Sequence, residues 1–281
     1  MFHLRKKGEL LVLQTDLFPA SLPHAFATRR LATKAGSRGA SEADFRIDSL
    51  PQTARWWRAL RDSIFSPNHV MAAHTQVHGG MVRVVDPDNP GGEEREVEGF
   101  GFRLLGEGDG LIKPFSRKPI FLAITTADCL PCLVYDSQSG AVGVVHAGWR
   151  GLAADIPAAA VKGFTRELGS SPRDLCWAVG PSIDADHYEV GTEVIAALET
   201  AGYAESDWKY SPDVRPGWTG GRRRDRYLLN LAACLTMRLE SLGVAPERID
   251  ICALSTYGNP ASFFSYRRDG GVVGLQASVI G

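Results

Sequence analysis

The sequence predicts an α+β fold. Three observations carry it: apolar strand-like runs joined by a short polar turn in mid-chain, amphipathic helical stretches that do not alternate regularly with them, and no linker dividing two blocks of different composition. A chain of 281 residues can build one large core or two smaller ones. With neither a dividing linker nor an internal repeat, it reads as a single domain over residues 1–281.

In chain order, apolar alternation at residues 10–13 gives a first strand, and residues 24–48, rich in Ala, Gly, Ser and charge, read as loop. Trp56, Trp57, Leu60 and Ile64 recur at helical spacing across residues 53–65, and Pro67 closes that helix. Its aromatic stripe reads as core. The Pro- and Gly-rich excursion at residues 86–99 is long for a connection and reads as a lid or an extended hairpin.

From Ile120 the pattern is strongly β, with two arms joined by a hairpin turn at residues 137–140. A single helix follows Gly148-Trp149-Arg150-Gly151, runs through Ala158, Val161, Phe164 and Leu168, and ends at Gly169. Further strands are expected at 175–179, 249–255 and 272–280, and helices at 193–200 and 228–242, the latter capped by Asp225.

Composition excludes several classes of function. Lys and Arg total 31 against 32 Asp and Glu, so no global positive field draws the chain onto nucleic acid or acidic lipid. The local cluster Arg222-Arg223-Arg224-Asp225-Arg226 reads as a solvated loop or helix-entry cluster in preference to a phosphate-binding site. The longest apolar stretch, from Ile120 to Tyr135, is interrupted by Thr125, Thr126, Asp128 and Pro131 and is too short for a bilayer core of ~30 Å. No signal-peptide pattern opens the chain. Five cysteines at irregular spacings describe no disulfide framework, so a cytoplasmic protein is expected.

Three segments place metal-capable residues beside glycine or at a strand end: His74-Thr-Gln-Val-His78-Gly79-Gly80, Ala127-Asp128-Cys129-Leu-Pro-Cys132, and Val145-His146-Ala-Gly148-Trp-Arg150. The last two are the hairpin arms. With a turn at 137–140, Asp136 opposes Ala141, and counting outward puts Cys129 opposite Gly148, two positions from His146. Diagonal neighbours on one face of a strand pair lie about 7–8 Å apart in backbone terms, within reach of one metal or one proton. Pro131 suggests an edge or a bulge in this register.

A catalytic zinc takes three imidazole or thiolate ligands and keeps a fourth position open. His78, Cys129 and His146 supply such a set, with His74 the alternative to His78; Cys129 could equally be a nucleophile with His146 as its base. The catalytic candidates are therefore Cys129, His146 and Asp128. Cys129-Leu-Pro-Cys132 is a C-x-x-C, but it runs into a strand and not a helix, which argues against a thiol-redox pair. His187-Tyr-Glu189 lacks the following P-C-x-x-C of zinc deaminases. Seven histidines without a His-x-His pair cannot build a multicopper centre.

Arg150, at the start of the helix after Gly148, and the adjacent Arg267 and Arg268 are candidates for gripping phosphate. The alternative is that these arginines simply pair with carboxylates.

Taken together, Thr75-Gln-Val-His78-Gly79, Thr126-Ala-Asp-Cys129-Leu-Pro131, His146-Ala-Gly-Trp-Arg-Gly-Leu152, Gly180-Pro-Ser-Ile183 with Tyr188-Glu-Val190, and Phe264-Ser-Tyr-Arg-Arg-Asp-Gly270 resemble, in order, a known family. It is the bacterial relatives of the laccase-domain proteins, variously named multicopper polyphenol oxidases, purine nucleoside phosphorylases and peptidoglycan editing factors. The resemblance implies layered mixed β-sheets flanked by helices and a Zn2+ held by His78, Cys129 and His146. It also implies phosphorolysis of adenosine, inosine and related nucleosides, with adenosine deamination as a companion activity, so the partners are a nucleoside and phosphate.

The alternatives are a cysteine hydrolase or editing factor acting on peptidoglycan precursors, and a zinc-stabilised binding protein without turnover. The chain departs from the family at Thr28-Arg29-Arg30-Leu-Ala, where a glycine pair is usual, at Leu275, where arginine is frequent, and at His187, where cysteine is usual.

Overall fold

The computed structural model describes residues 1–31, 42–203, 226–271 and 274–281. Two mixed sheets stack face to face. The first has eight strands, in the spatial order Phe2–Lys7 (β1), Leu10–Thr15 (β2), His24–Leu31 (β3), Gln276–Ile280 (β16), Ile120–Thr126 (β9), Val70–Thr75 (β4), Phe100–Glu107 (β7) and Glu93–Val97 (β6). The second has six: Ile249–Ile251 (β15), Leu175–Val179 (β12), Leu130–Asp136 (β10), Val142–Ala147 (β11), Gly110–Lys113 (β8) and Val82–Val84 (β5). A short antiparallel pair, Glu189–Gly191 (β13) with Arg226–Leu228 (β14), stands apart.

Side-chain alternation shows why the layers form. On β9, Phe121 and Ala123 pack against Trp57 and Leu60 of helix α1 (Leu50–Ile64), while Leu122 and Ile124 point the other way, toward Leu133, Val144 and Ala178 of the second sheet. On β10, Leu130, Cys132 and Val134 turn outward onto helices α2 (Trp149–Ala153), α3 (Ile156–Glu167), α4 (Thr192–Thr200) and α5 (Leu231–Ser241). The result is four layers, helix, sheet, sheet, helices, with the central strands buried on both faces. Each fully buried large apolar side chain such as Phe100, Phe121 or Phe164 contributes about 1.5–3 kcal/mol relative to exposure.

The hairpin count is matched. Leu130 pairs with Ala147 and Pro131 with His146, and the Asp136 N–H donates to the Ala141 carbonyl at 2.8 Å. Pro131 introduces no bulge into this ladder. The helix at 53–65 forms as α1, and the excursion at 86–99 takes the hairpin alternative. Its second half is β6, turned back into β7 at Glu98 (φ 50°) and Gly99 (φ 77°), a turn with both central residues left-handed that suits the twist of paired strands.

Other expectations are corrected. Residues 24–31 are not loop but β3, held between β2 and β16. Ala25 and Ala27, which face the α1 layer, carry too little hydrophobicity to announce a strand. β1 is an edge strand whose lysines and arginine keep that edge solvated. The helix after Gly148 is two helices broken at Asp155 (φ 55°), because Pro157 belongs at a helix start and not in its interior. The expected Asp225 cap and Arg222 to Arg224 lie outside the described residues; α5 is capped by Asn230, whose side chain accepts from the Ala233 N–H at 3.0 Å. The strand expected at 249–255 ends at Ile251, and that expected at 272–280 begins at Gln276.

Candidate metal centre

Three times the chain leaves the first sheet and enters the second at the same rim of the sandwich. The crossings are β4 to β5 through residues 76–81, β7 to β8 through 108–109, and β9 to β10 through 127–129. Each crossing brings one functional group: His78, Asp109 and Cys129, respectively. His146, near the end of β11, meets them from the adjacent strand.

His78, Cys129 and His146 converge so that their ligand atoms lie within 4.8 Å of one another. The two imidazoles stand edge to face with centroids 4.7 Å apart. His146 is buried, Cys129 half-buried and His78 exposed, so the cluster opens to solvent on one side. His74, the alternative ligand, stands outside this cluster: it is buried on β4, and its Nδ1 contacts the Gly106 carbonyl at 3.0 Å.

Burial alone would push the Cys129 thiol up, but the His146 and His78 imidazoles outweigh it and bring it down to about 6. Burial would lower His146, yet the Cys129 thiolate and the Asp109 carboxylate raise it to about 9. Without an ion the pair is thus a thiolate beside an imidazolium. Three close donors, one anionic and two imidazoles, fit the preferences of zinc and leave one direction open. Gly148, opposite Cys129, is required for this convergence, because a β-carbon there would lie 2.8 Å from the sulfur.

Asp109 is the residue the sequence reading missed. Its buried carboxylate accepts from His146 Nδ1 at 2.8 Å and from the backbone N–H groups of His78 and Gly79 at 2.9 and 2.6 Å. Burial opposes its charge, but the bonds from His146 and these amides hold its carboxyl below the ordinary range. The available signal was an acid between Gly108 and Gly110 directly ahead of a buried apolar strand.

Asp128 takes a left-handed backbone (φ 98°) beside Cys129, and its buried carboxylate is fully engaged. It accepts from Thr256 Oγ1 at 2.5 Å, Ser265 Oγ at 3.1 Å and the Arg267 N–H at 2.8 Å. Asp128 therefore ties the short helix α6 (Tyr266–Asp269) to the Cys129 turn.

The arginines separate. Arg268 spends its guanidinium on Asp269, at 2.7 Å from each of two nitrogens, and on the carbonyls of Thr256, Tyr257 and Phe263, so it takes the carboxylate-paired alternative and is corrected to a structural residue. Arg267 is exposed, lies over the Tyr188 ring at 5.0 Å and gives one N–H to the Glu189 carbonyl at 2.7 Å. Arg150 is exposed over Trp149 at 4.3 Å and has no carboxylate partner among the described residues. Its helix α2 spans five residues, too short to add much of a dipole to that charge.

Tyr188 joins these groups. Burial and the Cys129 thiolate push its phenol up, with Arg267 and Arg150 pulling against them, so it stays protonated. The second cysteine of the C-x-x-C, Cys132, faces the helical core, and burial pushes its thiol up.

Known proteins resemble this chain over most of its length. The family described as "Multi-copper polyphenol oxidoreductase laccase" matches residues 23–281. A purine nucleoside phosphorylase of Deinococcus radiodurans is 33% identical over 93% of this chain and 89% of its own. Adenosine deaminase RL5, from an unknown prokaryotic organism, is 31% identical over 74% of this chain and 71% of its own. The crystal structure of Bacillus licheniformis hypothetical protein YfiH superposes with a TM-score of 0.80 at 24% identity, covering 100% of this chain and 98% of that one, and shows the same fold.

Proposed function

This chain belongs to the multi-copper polyphenol oxidoreductase laccase family, and from that premise we propose that it is a zinc-dependent purine nucleoside phosphorylase. It cleaves adenosine, inosine and related nucleosides to free base and ribose 1-phosphate, with adenosine deamination as a companion activity. The observation that carries this reading is the convergence of His78, Cys129 and His146 beside two exposed arginines that have no carboxylate partner among the described residues. Relatives named purine nucleoside phosphorylase and adenosine deaminase support the substrate class.

His78, Cys129 and His146 would hold the zinc, which would supply Lewis acidity when bound. Arg150 and Arg267 bind phosphate and orient it toward the sugar, and the protonated Tyr188 phenol donates a hydrogen bond into the same space. Asp128 acts by position: its engaged carboxylate fixes Arg267 relative to Cys129 and moves no proton itself. A multicopper oxidase reaction lacks its ligands, since the described residues contain one cluster able to share an ion. Five free cysteines suit a reducing cytoplasm.

The lowered Cys129 thiol favours one second reading, a cysteine hydrolase or editing factor acting on peptidoglycan precursors. Incubating the zinc-loaded protein with adenosine or inosine, with and without phosphate, separates the two. Release of free base that depends on phosphate supports the phosphorylase; no turnover of any nucleoside sinks it.

A further inference from the structure

Asp109 supplies no ligand to the metal cluster, yet its carboxylate reaches the segments that supply both imidazoles. Oδ1 accepts from His146 Nδ1 at 2.8 Å and from the His78 N–H at 2.9 Å, while Oδ2 accepts from the N–H groups of Gly79 at 2.6 Å and Val77 at 3.3 Å. The Asp109 carbonyl also accepts the His146 N–H at 2.7 Å. The residue is 0% exposed, so no water competes for these bonds.

We propose that Asp109 is the positioning residue of the metal centre, a single carboxylate that fixes the ring orientation of His146 and the backbone turn presenting His78, so that both side chains are set before any ion arrives. The inference rests on the metal reading given above and adds how the site is preorganised.

Two arguments carry it. With its Nδ1–H given to Asp109, His146 keeps Nε2 as its metal-facing nitrogen, and an anionic acceptor behind an imidazole makes that nitrogen a better donor to a cation. His78 needs more help, because its side chain is exposed and its backbone is left-handed (φ 61°), a conformation that opposes a residue with a β-carbon. Three consecutive N–H groups, from Val77 to Gly79, converge on the one carboxylate and hold that turn. Gly80 packs tightly against the link between α2 and α3, where a β-carbon would stand 2.6 Å from the Ala154 carbonyl oxygen. Of the two glycines beside His78, Gly80 is therefore the one whose missing side chain lets the turn that Asp109 closes pack in place.

The test is zinc affinity, measured on metal-stripped protein by competition with a chromogenic chelator, for the wild type and Asp109→Asn. The variant keeps the shape and one acceptor oxygen but loses the charge and the second acceptor. The expected result is a 10- to 100-fold weaker zinc affinity with an unchanged fold by circular dichroism. A folded Asp109→Asn that binds zinc as tightly as the wild type would overturn the proposal. Should the variant fail to fold, hydrogen exchange on the metal-free wild type decides: amides of Val77, His78 and Gly79 protected support it, and exchange at open-loop rates overturns it. A wild type that binds zinc but turns over no nucleoside would instead overturn the phosphorylase reading and leave Asp109 in its role.

Discussion

Gly148 and Cys129 face each other across the mouth of the central hairpin so closely that a β-carbon on the glycine would lie 2.8 Å from the cysteine sulfur. Gly148 has φ −84° and ψ 177°, a conformation open to any residue, so backbone strain does not require the glycine; the sulfur does. Gly148→Ala is therefore expected to displace the thiolate from its two imidazoles. Zinc affinity should fall at least tenfold, at an overpacking cost of about 1–3 kcal/mol in the metal-free protein. A fluorescent zinc indicator and a urea titration check the two effects.

In metal-free protein, Cys129 should be alkylated by iodoacetamide at a rate that rises with pH through about 6, because the reactive thiolate predominates above that value. An ordinary thiol would show its rise near ~8.5. Cys132, buried in the helical core, should remain unlabelled in the folded state. Mass spectrometry of the labelled sites across a pH series reads this directly.

Arg267 and Arg268 are neighbours with opposite fates on substitution. Arg267→Ala should raise the KM for phosphate about tenfold, the loss of a charge-assisted contact, with little change in stability. Arg268→Ala should cost about 2–3 kcal/mol of stability, since carbonyls of Thr256, Tyr257 and Phe263 lose their donor, and should leave that KM unchanged. Steady-state kinetics with varied phosphate, beside denaturant titrations, distinguish them.

Asp128→Ala should destabilise the protein by about 3 kcal/mol, leaving Thr256 Oγ1, Ser265 Oγ and the Arg267 N–H without their shared acceptor. Asp128→Asn should cost less, because asparagine tolerates the left-handed backbone and keeps an acceptor. Both variants should retain zinc while kcat/KM falls. Metal analysis beside urea midpoints checks the pair.

The site was partly legible in the sequence, for reasons that can be traced. A turn at 137–140 fixes the hairpin register by counting, so the approach of Cys129 to His146 needed no family knowledge. His78 is preferred to His74 from the sequence, and the crossing from β4 to β5 gives the physical reason: it leaves one histidine on the strand and puts the other at the rim. Asp109 stayed hidden because its importance comes from a third crossing, 31 residues from His78 and 37 from His146, that no local pattern reports. Alanines and arginines mask the alternation of β3, and the strand exists through its partners on both sides. Pro157 did announce the break between α2 and α3, and the helical periodicity on either side of it obscured the signal. Arg267 and Arg268 cannot be told apart by composition; only the direction in which each side chain leaves α6 separates them.

The most direct measurement is elemental analysis of protein purified from medium containing both zinc and copper, for the wild type and for Cys129→Ala. One zinc per chain in the wild type, lost in the variant and not replaced by copper, is the predicted result. Zinc retained at full stoichiometry by Cys129→Ala, or several coppers per chain in the wild type, would contradict the assignment of His78, Cys129 and His146 as a single zinc centre.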